Sequence, residues 1–293
     1  MAADSPATGI RAGAESAAST GDSKRPVRYR VAGGTTIGLE PSRSANEDAY
    51  AYLTGYLAGE EGGQAWAMLC VADGMGGMAA GEVASEAAVG AIAGKAALLV
   101  GRTRPPANEQ AALVQAWILA AHEEVRAALD PIHAHGGCAL LCACLIDRRL
   151  TMAHVGDCRL YLVRNDEVDL LSRDHSAAME RCLREKIAPD ELRADPERAV
   201  LTRSLGGAWP PEVDTLVAVG GSPSRDLESG DVLILCSDGL WEPVRESELP
   251  AIVRRAGGNL QRAADLMLAL ALRRDAPDNA TVLLLRLDEG AHR

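Results

Sequence analysis

Apolar residues fall into short runs, or alternate with polar residues, over much of the chain. Residues 27–31 alternate with period two, and the runs at 49–57 and 65–72 are separated by a turn rich in Gly and Glu. These patterns predict an N-terminal strand followed by a β-hairpin. Further apolar runs predict strands at residues 138–146, 150–155, 159–164, 213–219, 232–235 and 280–287.

Helical patterns occur in consecutive pairs. The first pair is predicted at residues 81–100 and 108–129, with Asn108 as the N-cap of the second helix, and the second pair at 247–255 and 260–273. Helices that alternate singly with strands would indicate a doubly wound parallel sheet. The paired order instead favours an α+β fold, a four-layer α-β-β-α sandwich in which two antiparallel β-sheets are flanked by helix pairs.

Two segments interrupt this pattern. Residues 1–26 are rich in Ala, Ser, Gly and Asp, with almost no large apolar side chains, which is typical of a disordered N-terminal tail. Residues 174–200 are polar and charged, with short helical patterns at 177–186 and 189–194, and are predicted to form a mobile insertion. The folded domain is therefore predicted to span residues 27–288.

Composition restricts the classes of partner. The net charge of −11 argues against nucleic acid, because phosphate backbones are bound by basic surfaces. No secretory or membrane segment is predicted, since the apolar stretch at 79–100 is interrupted by Glu82, Glu86 and Lys95. The absence of Phe predicts a core of Leu, Val, Ile and Ala.

The seven cysteines are predicted to be reduced. Cys70, Cys142, Cys144 and Cys236 lie inside apolar runs, where a free thiol behaves as a small buried apolar side chain in a cytoplasmic protein. Cys138 shares one strand face with Cys142 and Cys144, which leaves a zinc site as an alternative. No closely paired histidines accompany them to complete such a site.

Five short acidic motifs stand out, and four of them border an apolar run. They are Asn46-Glu47-Asp48, Asp73-Gly74, Gly156-Asp157, Ser237-Asp238-Gly239 and Asp278-Asn279. Clustered carboxylates repel one another, so a cluster normally needs divalent cations to hold it together. The motifs therefore predict one shared metal centre and a metal-dependent hydrolase. Each motif alone is also typical of a turn, where Asp and Gly are common.

Two of the motifs have features that suit phosphate and metal binding. Arg43 lies four residues before Glu47, and a guanidinium can hold two phosphate oxygens in a bidentate contact. The alternative is a surface arginine beside a capping acid. Three glycines follow Asp73 within four residues, so the backbone can approach a ligand closely and a carbonyl can join a metal shell.

Seven motifs follow one another in a fixed order across nearly all of residues 27–287. They are Arg43-Ser44-Ala45-Asn46-Glu47-Asp48, Asp73-Gly74-Met75-Gly76-Gly77 with Gly81-Glu82 and Ala84-Ser85, the segment 155–162, Asp174-His175-Ser176, the segments 201–206 and 235–240, and Asp278-Asn279-Ala280-Thr281-Val282. Together they resemble the metal-dependent protein phosphatase (PPM) family, protein phosphatase 2C type, in its compact bacterial Ser/Thr phosphatase form. The resemblance implies the same sandwich fold and identifies residues 174–203 as a variable flap.

The resemblance also implies a centre of two or three Mn²⁺ or Mg²⁺ ions. Its implied protein ligands are Glu47, Asp48, Asp73, Gly74, Asp238, Asp278 and, at a weak third site, Asp157. Asp73 would bridge two ions and orient the nucleophilic water, and Arg43 would bind the phosphate. Asn279 would orient Asp278 without touching the metal.

The implied activity is hydrolysis of phosphoserine and phosphothreonine in proteins by attack of a metal-bridging hydroxide. The implied partners are phosphorylated proteins, with a eukaryotic-like Ser/Thr kinase that the enzyme opposes in bacterial signalling. We expect a cytoplasmic monomer that binds neither nucleic acid nor membranes. Two alternatives are a catalytically silent phosphatase fold that serves as a binding module, and a two-metal nuclease. The intact set of acids disfavours the first, and the net charge of −11 disfavours the second.

Three positions depart from the family pattern. Met75 stands where many eukaryotic members have a His that can protonate the leaving group, although bacterial members commonly carry Met. We therefore hypothesise that a metal-bound water supplies this proton. Gly136-Gly137-Cys138-Ala139 stands where Met-Gly-Thr-Thr is usual, and Cys158 replaces a usual Ser. The last two changes remove polar groups near the third metal site.

The flap and two histidines each leave a choice of interpretation. The basic residues of the flap are Arg181, Arg184, Lys186, Arg193, Arg198 and Arg203. They could steer an acidic phosphopeptide, or they could form an ordinary solvated helix surface. His154 and His175 are predicted to be structural hydrogen-bonding residues and not metal ligands.

Overall fold

A computed structural model describes residues 26–41, 43, 45–57, 64–76, 80–99, 102, 104–186 and 195–289. The predicted disordered tail, apart from Pro26, and the predicted helical patch at 189–194 lie outside the described residues. None of the helices in the described part is long and apolar enough to cross a membrane.

The strands form two antiparallel sheets. In chain order they are β1 (Val27–Thr36), β2 (Asp48–Leu57), β3 (Gln64–Gly76), β4 (Gly136–Ile146), β5 (Arg149–Val155), β6 (Arg159–Arg164), β7 (Glu167–Leu170), β8 (Asp214–Thr215), β9 (Arg225–Asp226), β10 (Val232–Cys236) and β11 (Ala280–Glu289). The first sheet has the order β1-β11-β10-β6-β7. The second has the order β2-β3-β4-β5-β8, with β9 also paired to β5.

Helices cover the outer face of each sheet. The helices of the described residues are α1 (Ala80–Ala97), α2 (Gln110–Leu129), α3 (Ala177–Glu185), α4 (Asp238–Trp241), α5 (Leu249–Arg255) and α6 (Leu260–Arg273), with 3₁₀ turns at Asp130–Ile132, Leu216–Val219 and Glu246–Glu248. The pair α1 and α2 packs on the second sheet, and α4, α5 and α6 pack on the first. The predicted four-layer α-β-β-α sandwich is confirmed.

The central strands are apolar on both faces because each face is covered. On β3, Trp66 and Met68 pack against the helix layer, whereas Leu69 and Val71 pack in the gap between the sheets. Such a strand gives a continuous apolar run in the sequence, and not a period-two alternation. The inter-sheet gap matters for function, because the acidic motifs lie at one end of it.

The cysteines are all buried and unpaired, as predicted. Within the described residues no group of His, Cys, Asp or Glu has the arrangement of a zinc site, so the zinc alternative gains no support. The Sγ of Cys138 donates to the Ala84 carbonyl oxygen, 3.7 Å away. This thiol supplies a hydrogen bond at a position where the family usually has a hydroxyl.

Two predictions of local structure are wrong. Residues 213–219 form only the two-residue strand β8 and then the 3₁₀ turn Leu216–Val219, which Thr215 caps at its start and Gly220, with a φ of 81°, caps at its end. Asn108 is not the N-cap of α2. The N-cap residue is Glu109, whose N–H donates to the Pro106 carbonyl, so Asn108 is taken up in the turn that precedes the helix.

Candidate metal centre

Two acids face each other across the β2–β3 hairpin. Asp48 and Asp73 are direct cross-strand partners, next to the pair formed by Ala49 and Ala72. Val71, two residues before Asp73, packs between the sheets, so both carboxylates lie on the inter-sheet side at the end of the gap. Like charges directly opposite in a sheet are destabilising. This arrangement is therefore suited to a bound cation.

Ser237 connects Asp48 to the opposite sheet. Its hydroxyl donates to Asp48 Oδ2 over 2.6 Å and accepts from the Thr281 N–H over 3.0 Å. The Ser237 N–H in turn donates to the Thr281 carbonyl over 3.2 Å. Asp48 belongs to the second sheet and Thr281 to the first. One buried hydroxyl thus fixes how the two sheets meet at the acidic cluster.

Asn279 fixes two of the acidic segments at once. Its Oδ1 accepts from the Glu47 N–H over 2.7 Å, and its Nδ2 donates to the Ile37 carbonyl over 3.0 Å. Its backbone N–H donates to Asp278 Oδ1 over 2.7 Å. The side chain therefore orients the Glu47 loop, and the backbone contacts Asp278. The role predicted for Asn279 toward Asp278 stays a prediction.

Gly74 and Gly81 make room for Glu47. The Gly74 N–H donates to the Glu47 carbonyl over 3.1 Å. A Cβ on Gly74 would lie 2.2 Å from the Gly81 carbonyl oxygen, and a Cβ on Gly81 would lie 2.7 Å from the Glu47 carboxyl carbon. Both distances are far below van der Waals contact. Gly81 thus lies against the Glu47 carboxylate, whereas Gly74 lies against the backbone of Gly81 and Glu47.

Arg43 brings a positive charge to this cluster. Its Nη2 lies 2.5 Å from Asp278 Oδ2, with about one third of each side chain exposed. Burial raises the pKa of Glu47, and Asp278 raises it further, while Arg43 opposes both. The structure therefore places Arg43, which is proposed to bind phosphate, beside Asp278 and Glu47, which are proposed to hold metal.

Asp238 and Asp157 approach from the other side. Asp238 is the first residue of α4, directly after β10, and its Oδ1 is buried without a hydrogen-bond partner among the described residues. Asp157 follows β5 and is buried. The indole N–H of Trp241 donates to the Asp157 carbonyl over 3.0 Å and so ties the Asp157 loop to α4. A carboxylate oxygen with no partner among the described residues can accept a cation or a water.

The carboxylates raise one another's pKa. Burial, followed by the charges of Asp238 and Asp48, holds the pKa of Asp73 well above its ordinary range. Burial, with the charges of Asp157 and Asp278, does the same for Asp238. Burial also raises the pKa of Asp48 to about 6. These mutual effects place the acids in one region, where a divalent cation would replace the repulsion with attraction.

The donor set fits Mn²⁺ or Mg²⁺. All the predicted ligand atoms are carboxylate or carbonyl oxygens, which are the ligands these ions prefer. The unpartnered Oδ1 of Asp238 and the opposed Asp48–Asp73 pair both suit cations. Within the described residues no three side chains already stand at the spacing of a complete metal shell. The individual ligand assignments therefore stay predictions.

An arginine network beside Asp157 did not emerge from the sequence. Arg159 is buried, makes a bidentate ion pair with Asp174 over 3.0 and 2.7 Å, and contacts Glu246 over 3.0 Å. Its guanidinium lies 3.7 Å from the centre of the Trp241 ring. The signal was available in Gly156-Asp157-Cys158-Arg159, where a charged residue opens an otherwise apolar strand.

The flap arginines in the described residues are largely paired with acids. Arg181 pairs with Asp195 and Glu197, and Arg198 with Glu242. Arg203 lies 2.9 Å from an Asp214 oxygen and 3.2 Å from Glu212. This pairing favours a structural role over the steering of an acidic peptide.

His154 and His175 contact backbone groups, as predicted, with the His154 Nε2 at 2.9 Å from the Arg173 carbonyl.

Removal of the metal is expected to make the free energy of unfolding fall as pH rises. The ordinary pKa of an aspartate is 3.8, whereas burial raises the pKa of Asp48 to about 6 and that of Asp157 to about 7. The folded chain therefore binds more protons than the unfolded chain in this window, and stability present below pH 3.8 is lost as pH rises through 6 and 7. The effect of Asp48 alone is about 3 kcal/mol.

Urea unfolding of EDTA-treated protein between pH 4 and pH 8 measures this loss. Saturating Mn²⁺ should abolish the decline, because the cations replace the protons. Asp48→Asn, which cannot ionise, should flatten the metal-free curve by the share that belongs to Asp48. The lowered pKa of His175 acts in the opposite direction below pH 6.5, so the difference between wild type and Asp48→Asn is the quantity that tests the cluster. A metal-free curve that Asp48→Asn leaves unchanged would contradict the shared acidic cluster.

Comparison with known proteins agrees with this geometry. The family model of protein phosphatase 2C matches residues 38–185. The serine/threonine protein phosphatase PstP of Mycobacterium tuberculosis is 30% identical over 219 residues, which cover 74% of this chain and 40% of PstP. The serine/threonine phosphatase stp of Listeria innocua is 32% identical over 228 residues, which cover 74% of this chain and 83% of that protein.

Solved structures give the same result. The crystal structure of Mycobacterium tuberculosis PstP has a TM-score of 0.71 at 29% identity, and covers 89% of this chain and 99% of that one. The catalytic domain of PstP in complex with two manganese ions has a TM-score of 0.69 at 27% identity, with 90% and 100% covered. With the family model matching half of its residues, the chain belongs to the protein phosphatase 2C family, whose members depend on Mn²⁺ or Mg²⁺.

Proposed function

We propose that this chain is a Mn²⁺- or Mg²⁺-dependent phosphatase that removes phosphate from phosphoserine and phosphothreonine in proteins. The observation that carries the proposal is the directly opposed pair Asp48 and Asp73, with the unpartnered Asp238 Oδ1 nearby and Arg43 at the edge. The similarity to PstP and stp, which are serine/threonine phosphatases, supports the choice of substrate class. This chain spans only 40% of the length of PstP.

The proposed metal-holding residues are Glu47, Asp48, Asp73, the Gly74 carbonyl, Asp238 and Asp278, with Asp157 at a weaker third site. Divalent ions bound there supply an activated water and neutralise the phosphoryl oxygens. Ser237 and Asn279 keep Asp48 and Glu47 oriented through the bonds described above. Arg43 can exchange its contact with Asp278 for a bidentate contact with the phosphate.

Hydrolysis by water is favoured over a covalent route through cysteine. Cys236, the cysteine nearest to Asp238 along the chain, is buried, and burial raises the pKa of its thiol far above its ordinary value. A thiol that stays protonated is a poor nucleophile. Met75 cannot donate a proton either, so we propose that water supplies the proton to the leaving serine or threonine.

The wider setting is also part of the proposal. The protein would act as a monomer on phosphorylated proteins, opposite a Ser/Thr kinase. We infer a cytoplasmic location from the seven buried and unpaired cysteines, which suit a reducing compartment. Residues 27–288 would form the phosphatase domain, with residues 174–203 as its flap.

Phosphate release from phosphoserine and phosphothreonine peptides tests this function. Release should require Mn²⁺ or Mg²⁺, stop on addition of EDTA, and be far slower with a phosphotyrosine peptide of the same sequence. Arg43→Ala should lower kcat/KM about 100-fold, the usual cost of losing a charged contact to a transition-state oxygen. The matched control is Arg30→Ala, an exposed arginine of β1 that pairs with Asp288. A metal-loaded wild type that releases no phosphate would favour the binding-module alternative.

A further inference from the structure

Asp214, a buried acid outside the metal centre, holds both ends of the flap. It lies on β8 opposite His154 of β5 and is only 7% exposed. Arg173, which immediately precedes the flap, donates to Asp214 Oδ2 over 2.9 Å. Arg203, the last flap residue, donates to Asp214 Oδ1 over 2.9 Å. One carboxylate thus fixes where the flap leaves the sandwich and where it returns.

His175 extends this contact to the loop that carries Asp157. The His175 Nε2 lies 3.2 Å from Asp214 Oδ2, and its Nδ1 accepts from the Gly156 N–H over 3.1 Å. The His175 N–H also donates to the Gly156 carbonyl over 2.9 Å. Because Nδ1 accepts, the ring proton lies on Nε2 and is donated to Asp214. Asp214 therefore selects the tautomer that can bind Gly156.

The surroundings of His175 favour a neutral ring, in which Nδ1 can accept from Gly156 while Nε2 donates to Asp214. His154 stacks on it with ring centres 4.6 Å apart. Burial, with a smaller contribution from His154, lowers the pKa of His175 to about 4. Burial opposes ionisation of Asp214, but the hydrogen bond from His175, with a smaller contribution from the hydrogen bond of Arg203, holds its pKa below the ordinary value. A charged Asp214 thus faces a neutral imidazole.

Gly156 links His175 to Asp157, because it is hydrogen-bonded to His175 and immediately precedes Asp157 in the chain. Its φ of 102° is a left-handed value that favours glycine, and a Cβ here would lie 2.3 Å from the Ala139 Cβ. Ala139 is the cross-strand partner of Asp73. Packing against Ala139 on one side and the bonds to His175 on the other leave the Gly156 peptide little freedom. The next residue is Asp157, whose carboxylate is near enough to act on Asp238.

We propose that His175 and Asp214 are positioning residues for Asp157. They fix the Asp157 carboxylate at the weak third metal site, and they couple that site to both ends of the flap. This inference rests on the proposed function, because it takes Asp157 as a metal ligand. It adds a role for two side chains that touch neither the metal nor the phosphate.

Two substitutions of His175 separate positioning from simple packing. In His175→Asn the amide oxygen can take the place of Nδ1 and still accept from Gly156, although the contact with Asp214 is lost. In His175→Gln the amide nitrogen can take the place of Nε2 and still donate to Asp214, although the acceptor for Gly156 is lost. Both variants lose the same stacking on His154, so they are matched for packing.

Calorimetric Mn²⁺ titration and amide hydrogen exchange of residues 155–160 are the readouts. The Gln variant should bind the weakest Mn²⁺ at least about tenfold less tightly, the usual loss when a group that orients a ligand is removed. Its Gly156 amide should also exchange faster in metal-free protein. The Asn variant should stay within about threefold of wild type in both readouts. Asp226→Asn, an exposed acid on β9 that also borders β5, is the control and should change neither.

Asp214→Ala tests the contact between Asp214 and His175. Without the acceptor for Nε2–H, the ring ¹⁵N signals of His175 should shift toward a mixture of tautomers, and the Gly156 amide should exchange faster. Equal losses of Mn²⁺ affinity in the Gln and Asn variants would indicate that His175 acts through packing alone, and would overturn the proposal. Wild-type Mn²⁺ affinity in both variants would overturn it too. A wild type that binds no third Mn²⁺ would also overturn it. Failure of the proposed phosphatase function is a separate result, seen as absent phosphate release by the same wild-type sample.

Discussion

Asp73→Asn is expected to lower kcat with Mn²⁺ by about 10³-fold or more, while the metal-free protein becomes more stable than wild type. The loss follows because an amide cannot supply the negative charge or the bridging oxygens that two cations need. The gain follows because Asp48 and Asp73 repel across the hairpin, and burial with neighbouring acids raises the pKa of Asp73 well above its ordinary range. Relief of this repulsion should add about 1 kcal/mol or more to the free energy of unfolding.

A lower kcat together with a higher free energy of unfolding would identify Asp73 as a residue that serves function and destabilises the metal-free fold. Steady-state phosphate release and urea unfolding of EDTA-treated protein at pH 7.5 measure the two effects. Asp265→Asn, an exposed acid on α6, is the matched control and should alter neither. A variant that keeps wild-type activity would remove Asp73 from the bridging position. A variant that is both inactive and less stable would indicate a structural role.

The sequence predicted the sandwich because its main signals are local. Two-sided burial makes β3 and β4 continuous apolar runs, and the short Gly- and Glu-rich sequence between β2 and β3 predicts that these strands pair in antiparallel fashion. The hairpin also brings Asp48 beside Asp73, since both acids lie just outside the predicted runs. The existence of an acidic centre could therefore be inferred from the positions of acids at strand ends.

The parts that escaped prediction depend on contacts between distant segments. Asp214 lies in an apolar run that was predicted as a long strand. Its partners Arg173, His175 and Arg203 come from up to 41 residues away. Ser237 belongs to one of the acidic motifs, but its bond to Asp48 spans 189 residues and depends on how the sheets pack. Pattern and propensity contain no information about such packing, so these roles required coordinates.

Gly74→Ala should reduce Mn²⁺ affinity by about 100-fold and destabilise the fold by about 3 kcal/mol. The φ of Gly74 is not among the left-handed values, so backbone strain is not the reason. The reason is steric, since the new Cβ would lie 2.2 Å from the Gly81 carbonyl oxygen and 2.6 Å from that of Glu47. Both are backbone atoms, and neither can move away by a change of rotamer. Metal titration, phosphate release and urea unfolding measure the three consequences.

Gly90→Ala is a control with the same chemical change, for which we expect an increase and not a decrease in the free energy of unfolding. Gly90 lies on the exposed face of α1, and no atom of the described residues lies within 4 Å of a Cβ placed there. Alanine in a helix interior is favoured over glycine by about 1 kcal/mol, so this variant should be more stable and bind Mn²⁺ as the wild type does. If Gly74→Ala behaved like Gly90→Ala, the close packing of Gly74 against Gly81 and Glu47 would be unnecessary for the fold and for Mn²⁺ binding. If it lost Mn²⁺ affinity without losing stability, the loop around Gly74 would serve the metal and contribute little to the fold.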